Sequence, residues 1–432
     1  MLACATVTFA RQSLGSLAAL AFGLLVSIVL PRVLGAEARG EYQLAVKLAA
    51  LVLAVAQWGI PEVLLQFMAE HKAEVGELIG TSLGLGLAGA TVVAVLMGVG
   101  VASPLFKDNL LRGVEPGLLV LTLGGSVAAI VGLLARRFIQ LQGGLAVYNG
   151  LDVARTLLFL ALVLIGGALA PRQAIVPVWA WLIAEVALAF AAAFWLRSLR
   201  WTFKPQLVRQ LATAGAPIQL GLVAMFIGSE GGAFVLNANL DVATVGIYAV
   251  ALSIARLILQ VSTALRTALQ PRLIPAESDS AAVTVRVTRH GLMWMLLTAL
   301  VLGVGAPLVP LIFTSEFSAA VPALVVLLPG MVAYGVWQLL ASHLLRIGQR
   351  GFLALTAWLF AIASIALQLI GIAALGLVGA ALGLSLAYLL ATAVVLVGFA
   401  RSSGRPAREL VPVASDLDFY VGLTRSALAT RG

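Results

Sequence analysis

Apolar runs of about twenty residues recur along the whole chain, separated by short clusters of charged residues, proline and glycine. A helix that crosses a bilayer needs about 20 predominantly apolar residues. On that measure the pattern predicts twelve helices, near residues 12–34, 41–68, 77–104, 116–138, 151–170, 175–196, 212–236, 243–270, 288–313, 321–344, 352–373 and 376–400. The first run follows Arg11, but Ser13 to Leu30 is longer than the apolar stretch of a secretory signal, so it is read as a retained helix.

Composition agrees with the pattern. Of 432 residues, 62% are hydrophobic and 10% charged, whereas a soluble domain is about half apolar and a quarter charged. A soluble globular enzyme is excluded, and so is a disordered chain, which cannot leave so much apolar surface in water. The net charge of +9 points to membrane topology rather than nucleic acid, because the basic residues fall mostly between apolar runs. With the N-terminus in the cytoplasm, 20 of the 27 Lys and Arg lie in inner segments, 5 in outer segments and 2, Lys47 and Arg256, inside helices. That bias predicts a multi-pass protein of the cytoplasmic (inner) membrane with both termini inside. The one cysteine, Cys4, permits no internal disulfide, and His71, His290 and His343 have no partners at metal spacing.

A shift of 206 positions superposes the first half on the second. Leu34, Gly40, Tyr42 and Ala45 fall on Leu240, Gly246, Tyr248 and Ala251, and Pro104 falls on Pro310. At a shift of 207, Gln142 and Gly144 meet Gln349 and Gly351. Six helices per half is an even number, so the repeats run parallel, related by an axis along the membrane normal. The expected fold is an all-α membrane protein of twelve transmembrane helices in two six-helix pseudo-repeats around a central cavity. The expected divisions are an N-terminal lobe (1–196), an interfacial linker (197–211), a C-terminal lobe (212–400) and a cytoplasmic polar tail (401–432). The linker alternates Arg197, Arg200, Lys204 and Arg209 with Trp195, Trp201 and Phe203, as an interfacial segment does.

The outer turn Pro31-Arg32-Val33-Leu34-Gly35-Ala36-Glu37-Ala38-Arg39-Gly40-Glu41-Tyr42 resembles the first-loop signature of the Wzx-type polysaccharide-transport flippases. These form a branch of the multidrug/oligosaccharidyl-lipid/polysaccharide exporter superfamily. Gly144 to Ala146 and the Gly379 to Leu382 opening of the last helix fit the same resemblance. It implies movement of a polyprenyl-diphosphate-linked sugar from the inner to the outer leaflet, with no cofactor. The partners implied are that glycolipid, the bilayer and other polysaccharide-assembly proteins. The lipid II flippase branch typically adds two C-terminal helices, where this chain has a polar tail. Major facilitators carry a Gly-x-x-x-Asp-Arg type loop, where Ala69 to Gly76 reads AEHKAEVG.

A charge inside a membrane helix is costly and therefore a candidate for function. Arg256, ten or so residues inside its helix, and Lys47, on the matching helix of the first half, are the candidate diphosphate ligands. Guanidinium grips phosphate oxygens bidentately and ammonium acts as a point charge. Arg11 at the base of the first helix and Arg32 at the outer turn are further substrate-binding candidates, with interfacial anchoring as the plainer reading of both. Arg39 flanks the same turn and, with Arg32, is a candidate contact for headgroups or the released diphosphate, interfacial anchoring again being the plainer reading. Glu230, Glu185 and Glu62 are candidates for cation coupling or gating, Glu230 also as the ion-pair partner of Arg256 and Glu62 beside the helix-bending Pro61. There is no Gly-Lys-Ser/Thr phosphate loop. The function expected is a flippase working by alternating access. The alternatives are a cation-coupled multidrug exporter, which calls for a deep acidic cluster, and a lipid-linked sugar polymerase or ligase, which calls for a large outer catalytic loop. No enzyme activity is expected.

Overall fold

A computed structural model of the chain describes residues 2–69, 74–273 and 280–413; of residues 2–20 and 267–273 it describes the helical path alone. Nine helical stretches among the described residues are long and apolar enough to cross a membrane, and one bent pair makes a tenth. Two of the nine runs are double. Arg350–Ser403 holds 54 residues, about 81 Å of helix at 1.5 Å per residue, against a hydrocarbon core of about 30 Å. It breaks at Gly376 (φ 56°, ψ −129°), which yields 350–375 and 377–403. Leu2–Ala56 likewise breaks at Gly35 (φ 72°, ψ −178°), a backbone conformation open to glycine and costly for any residue with a Cβ. With both runs divided and the bent pair taken as one, the described residues hold twelve spans.

We label them in chain order. α1 is 2–34. α2 runs from 36 to Ala69 in two pieces, the second being Ile60–Ala69. α3 is Val75–Val101, α4 Pro116–Leu141, α5 Leu145–Leu169 and α6 Ile175–Trp195. α7 comprises Pro205–Glu230 and Gly232–Asn239, and α8 comprises Val242–Ala255 and Ile258–Leu273. α9 is Ser280–Gly305, prolonged by Val309–Phe313; α10 is Ala320–Arg346, α11 350–375 and α12 377–403. Local chemistry sets several ends. Pro116 and Pro205 occupy first-turn positions where no N–H is needed. The Asp241 carboxylate accepts from the Thr244 N–H at 2.7 Å and caps α8. Gly404, left-handed, ends α12.

Three boundaries differ from the sequence reading. The linker is shorter than 197–211, because α7 starts at Pro205. It is also strapped to α3: Thr202 N–H donates to the Gly76 carbonyl at 3.2 Å, and Lys204 N–H to Thr81 Oγ1 at 3.0 Å. A methyl at Gly76 or Gly80 would overlap the carbonyls of Arg200 or Thr202, so these glycines make the groove that seats the strap. In α2 the break lies at Gln57–Gly59, ahead of Pro61, with Trp58 and Gly59 both at positive φ (51° and 63°). Pro61 falls in the first turn of the second piece, where it disturbs nothing. In α8 the helix bends by 45° at Arg256 and Leu257, although neither proline nor glycine marks the place.

The spans have two kinds of end. One, which we call the basic end, carries the turns at 142–144 and 347–349 and the strap. The distal end carries Gly35, the 102–115 and 170–174 connections, 306–319 and Gly376. At the distal end α2 crosses α8 with backbones in contact. A Cβ on Gly40 would overlap the Val242 carbonyl, and one on Gly246 the Ala36 carbonyl. These are two glycines that the 206-residue shift equates.

Candidate functional site

About midway along the spans, three charged residues converge. Lys47 of α2 donates from Nζ to Glu230 Oε2, and Arg256 of α8 donates from Nη2 to Glu230 Oε1. Lys47 is 5% exposed, while the Glu230 and Arg256 side chains retain 17% and 34%. Arg256 stands about 21 Å from the distal start of α8, too deep for its guanidinium to reach water along the helix. The 45° bend of α8 falls at this residue, where the Arg256 N–H donates to the Leu252 carbonyl at 3.0 Å and the Leu257 N–H to the Ile254 carbonyl at 3.0 Å. The triad has a net charge of +1 and joins the lobes, one cation coming from each. Lys47 therefore does not snorkel to the outer interface, and Glu230 pairs with both candidates.

Below the triad, towards the basic end, lies a cavity of about 720 Å³, within the usual range for ligand sites. Its polar lining comprises Arg266, Arg346, Arg350, Glu62, Gln338 and Ser342, with Tyr334 and Trp337 as its aromatic wall. Met225 of α7 also lines it, five residues before Glu230, so about 7.5 Å of helix separates cavity and triad. An aromatic stack fills that interval: Tyr388 lies face to face with Tyr334 and with Phe360, centroids 4.6 Å apart in each case. Trp337 meets Phe360 edge-on at 5.6 Å. The Tyr248 and Tyr388 phenols are within electrostatic range of Arg256.

The distal end is tied shut across the lobes. Arg32 donates to the Ile312 carbonyl at 2.5 Å and to that of Leu311 at 3.2 Å. Glu316 accepts from the Ala36 N–H at 3.1 Å and pairs with Arg172 at 3.0 Å. Arg112 donates to the Leu240 carbonyl at 2.6 Å, and Asn237 Nδ2 to the Arg112 carbonyl at 2.9 Å. Arg32 is thus a tether between the two halves of the chain in this conformation. Midway along the interface Gln219 of α7 reads the broken backbone of α2. Its Oε1 accepts from Gly59 N–H at 2.8 Å, and its Nε2 donates to the Ala54 and Val55 carbonyls.

The other candidates separate from this centre. Glu185 belongs to a network internal to the first lobe, accepting from Arg155 at 3.1 Å, while Asp152 takes Arg136 at 2.7 Å and Arg155 at 3.5 Å. Glu62 lines the basic-end cavity, next to the Pro61 carbonyl that Arg137 engages at 2.9 Å. The Arg11 side chain and the tail beyond residue 413 lie outside the described residues. Sequence reasoning missed Arg266, Arg346 and Arg350 as cavity residues because it counted them only as topology signals. It missed Gln219 altogether, since an amide reading a helix break has no linear motif. Arg155, four residues inside a predicted span, carried a signal that was available. Among the described residues no cluster of three or more His, Cys, Asp or Glu could hold a metal ion.

Comparison with known proteins places this geometry. A family model described as "Polysaccharide biosynthesis protein" matches residues 10–277. Among solved structures, the inward closed conformation of the lipid II flippase MurJ superposes with a TM-score of 0.74 at 14% identity, covering 92% of this chain and 88% of that one. An inward-facing multidrug resistance MATE family transporter of the MOP superfamily gives 0.67 at 16% identity, over 91% and 94% of the two chains. The MATE multidrug transporter DinF-BH gives 0.66 at 14% identity, over 90% and 93%. These likenesses establish the fold. No curated protein matches the sequence.

Proposed function

The chain belongs to the polysaccharide biosynthesis protein family, and from that premise we propose that it flips a polyprenyl-diphosphate-linked oligosaccharide from the inner to the outer leaflet. The carrying observation is the basic, aromatic-walled cavity at the arginine-rich end, with a net-positive triad bridging the two halves of the chain about 7.5 Å of helix beyond it. Arg266, Arg346 and Arg350 suit a diphosphate, and Tyr334 and Trp337 offer ring faces to sugars. The Lys and Arg bias supports a cytoplasmic basic end, in keeping with a protein of the cytoplasmic membrane.

The cycle needs no covalent chemistry. With the distal end tied shut, the headgroup enters the cavity from the cytoplasm while the prenyl chain stays in lipid. Phosphate oxygens compete with Glu230 for Lys47 and Arg256, loosening the one ion pair of the triad that crosses between lobes. The lobes then rock about their interface and part at the Gly40–Gly246 crossing. Once the phosphates leave the triad on the outward path, Glu230 takes both cations back. A cation-coupled drug exporter fits the cavity less well, because its lining offers three arginines against the single carboxylate of Glu62.

The test is Arg256→Ala in cells that depend on the protein for surface glycan. Export should fall at least tenfold at normal membrane levels, with lipid-linked oligosaccharide accumulating on the cytoplasmic leaflet. Wild-type export by that variant removes Arg256 from the mechanism. Intermediate accumulating outside, unpolymerised, in cells lacking the protein favours the enzyme alternative.

A further inference from the structure

Arg39 of α2 is 6% exposed, yet its Nε and Nη1 donate to no acceptor. It forms no ion pair among the described residues. Its one described neighbour of note is the Tyr42 ring, with the centroid 5.5 Å from the guanidinium carbon. Four other cations within the spans face a carboxylate: Glu230 serves Lys47 and Arg256, Asp152 serves Arg136, and Glu185 serves Arg155. A guanidinium keeps its charge in a protein and has five N–H groups to satisfy. Buried without a partner it destabilises the state that buries it, where an apolar side chain would not. No bond that Arg39 makes in this conformation accounts for it.

Its place in the fold does. Arg39 adjoins Gly40, the residue at which α2 and α8 touch backbone to backbone, so parting the lobes there uncovers Arg39. It also stands eight residues from Lys47, about 12 Å further towards the distal end. Cations therefore mark three levels: Arg266, Arg346 and Arg350 in the cavity, Lys47 and Arg256 at mid-membrane, and Arg39 beneath the distal closure. We infer that Arg39 is an exit-side anion site, empty-handed while the distal end is shut and taking the diphosphate once the lobes part. This rests on the flippase reading. The handover leaves Glu230 free to recover Lys47 and Arg256, so the triad re-forms before the headgroup departs.

The experiment uses full-length protein carrying Cys4→Ala. Arg39→Met should melt at or above the parent temperature and bind undecaprenyl diphosphate in detergent within twofold of it, because the cytoplasmic cavity is untouched. In proteoliposomes its translocation of a fluorescent undecaprenyl-diphosphate sugar should fall at least tenfold, with partial rescue by Arg39→Lys. A reporter cysteine one turn away, Gln43→Cys, should react with an external impermeant thiol reagent. External pyrophosphate should slow that reaction at least threefold with Arg39 present and not with Arg39→Met. Normal translocation by Arg39→Met overturns the proposal, as does a lowered melting point that tracks its loss of activity. Pyrophosphate protection without a translocation defect identifies a site for free oxyanions and likewise overturns the exit role. If the parent protein neither binds nor moves the undecaprenyl probes, the flippase reading fails, and absence of pyrophosphate protection then refutes the anion site separately.

Discussion

Replacing Glu230 by Gln tests whether the triad holds the lobes together. The substitution keeps the shape of the side chain and removes its charge, leaving Lys47 and Arg256 facing each other across the lobe interface without a counter-ion. Removing one partner from a buried ion pair costs about 3–5 kcal/mol. The Arg256 side chain keeps 34% of its exposure, so solvent screens part of that cost, and about 2–3 kcal/mol is the appropriate figure here. Separation of the lobes hydrates both cations and recovers it. At 1.4 kcal/mol per factor of ten, the ratio of distal-open to distal-closed molecules should rise about 30- to 150-fold. Spin labels at Glu37 and Ser318, both exposed at the distal end and one on each lobe, read this out as a longer distance population in pulsed electron resonance. An unchanged or shortened distribution in Glu230→Gln refutes the latch. Lys47→Met should shift the distribution far less, because Glu230 keeps Arg256 and the buried ammonium is itself removed.

Two further outcomes follow from the interface. Gly246→Leu puts a side chain where the Ala36 carbonyl lies, so the distal end should fail to close; external thiol reagents should label a cysteine at Gln43 at least fivefold faster than in the parent, and export should be lost at normal membrane levels. Gln219→Ala removes three hydrogen bonds to the α2 break, worth about 1 kcal/mol each; the purified protein should melt several degrees lower, and unchanged melting would mean that the break is held by Trp58 and Gly59 alone.

The span positions were legible because each apolar run is long enough to stand alone against the bilayer, and the break at Gly35 lies between two predicted spans. The breaks inside spans were not. Pro61 drew attention to the wrong side of the α2 break, since a proline in a first turn bends nothing, while Trp58, a residue that rarely takes positive φ, carries the turn. The α8 bend at Arg256 is stabilised by a partner, Glu230, 26 residues away, and local sequence does not encode that pairing. The resemblance read from the outer turn agrees with the family found by comparison, and the pairing of Arg256 with Glu230 was one of two readings left open. Positive-inside counting oriented the chain but hid the cavity, because Arg266, Arg346 and Arg350 serve topology and lining at once. Arg39 was legible as a candidate diphosphate contact at the outer turn, but not as a buried one. Its position beside a turn suggested the interface, and only packing revealed its burial.

The crossing of Gly40 with Gly246 has a bearing on energy conservation in the host cell. A barrier built from side chains fluctuates as rotamers exchange, and transient gaps can admit a file of water along which protons hop. Main chain pressed against main chain has no rotamers to exchange. The lid can lift only as a whole, so a carrier with a basic cavity of about 720 Å³ on one side of it can sit idle in an energised membrane without short-circuiting it.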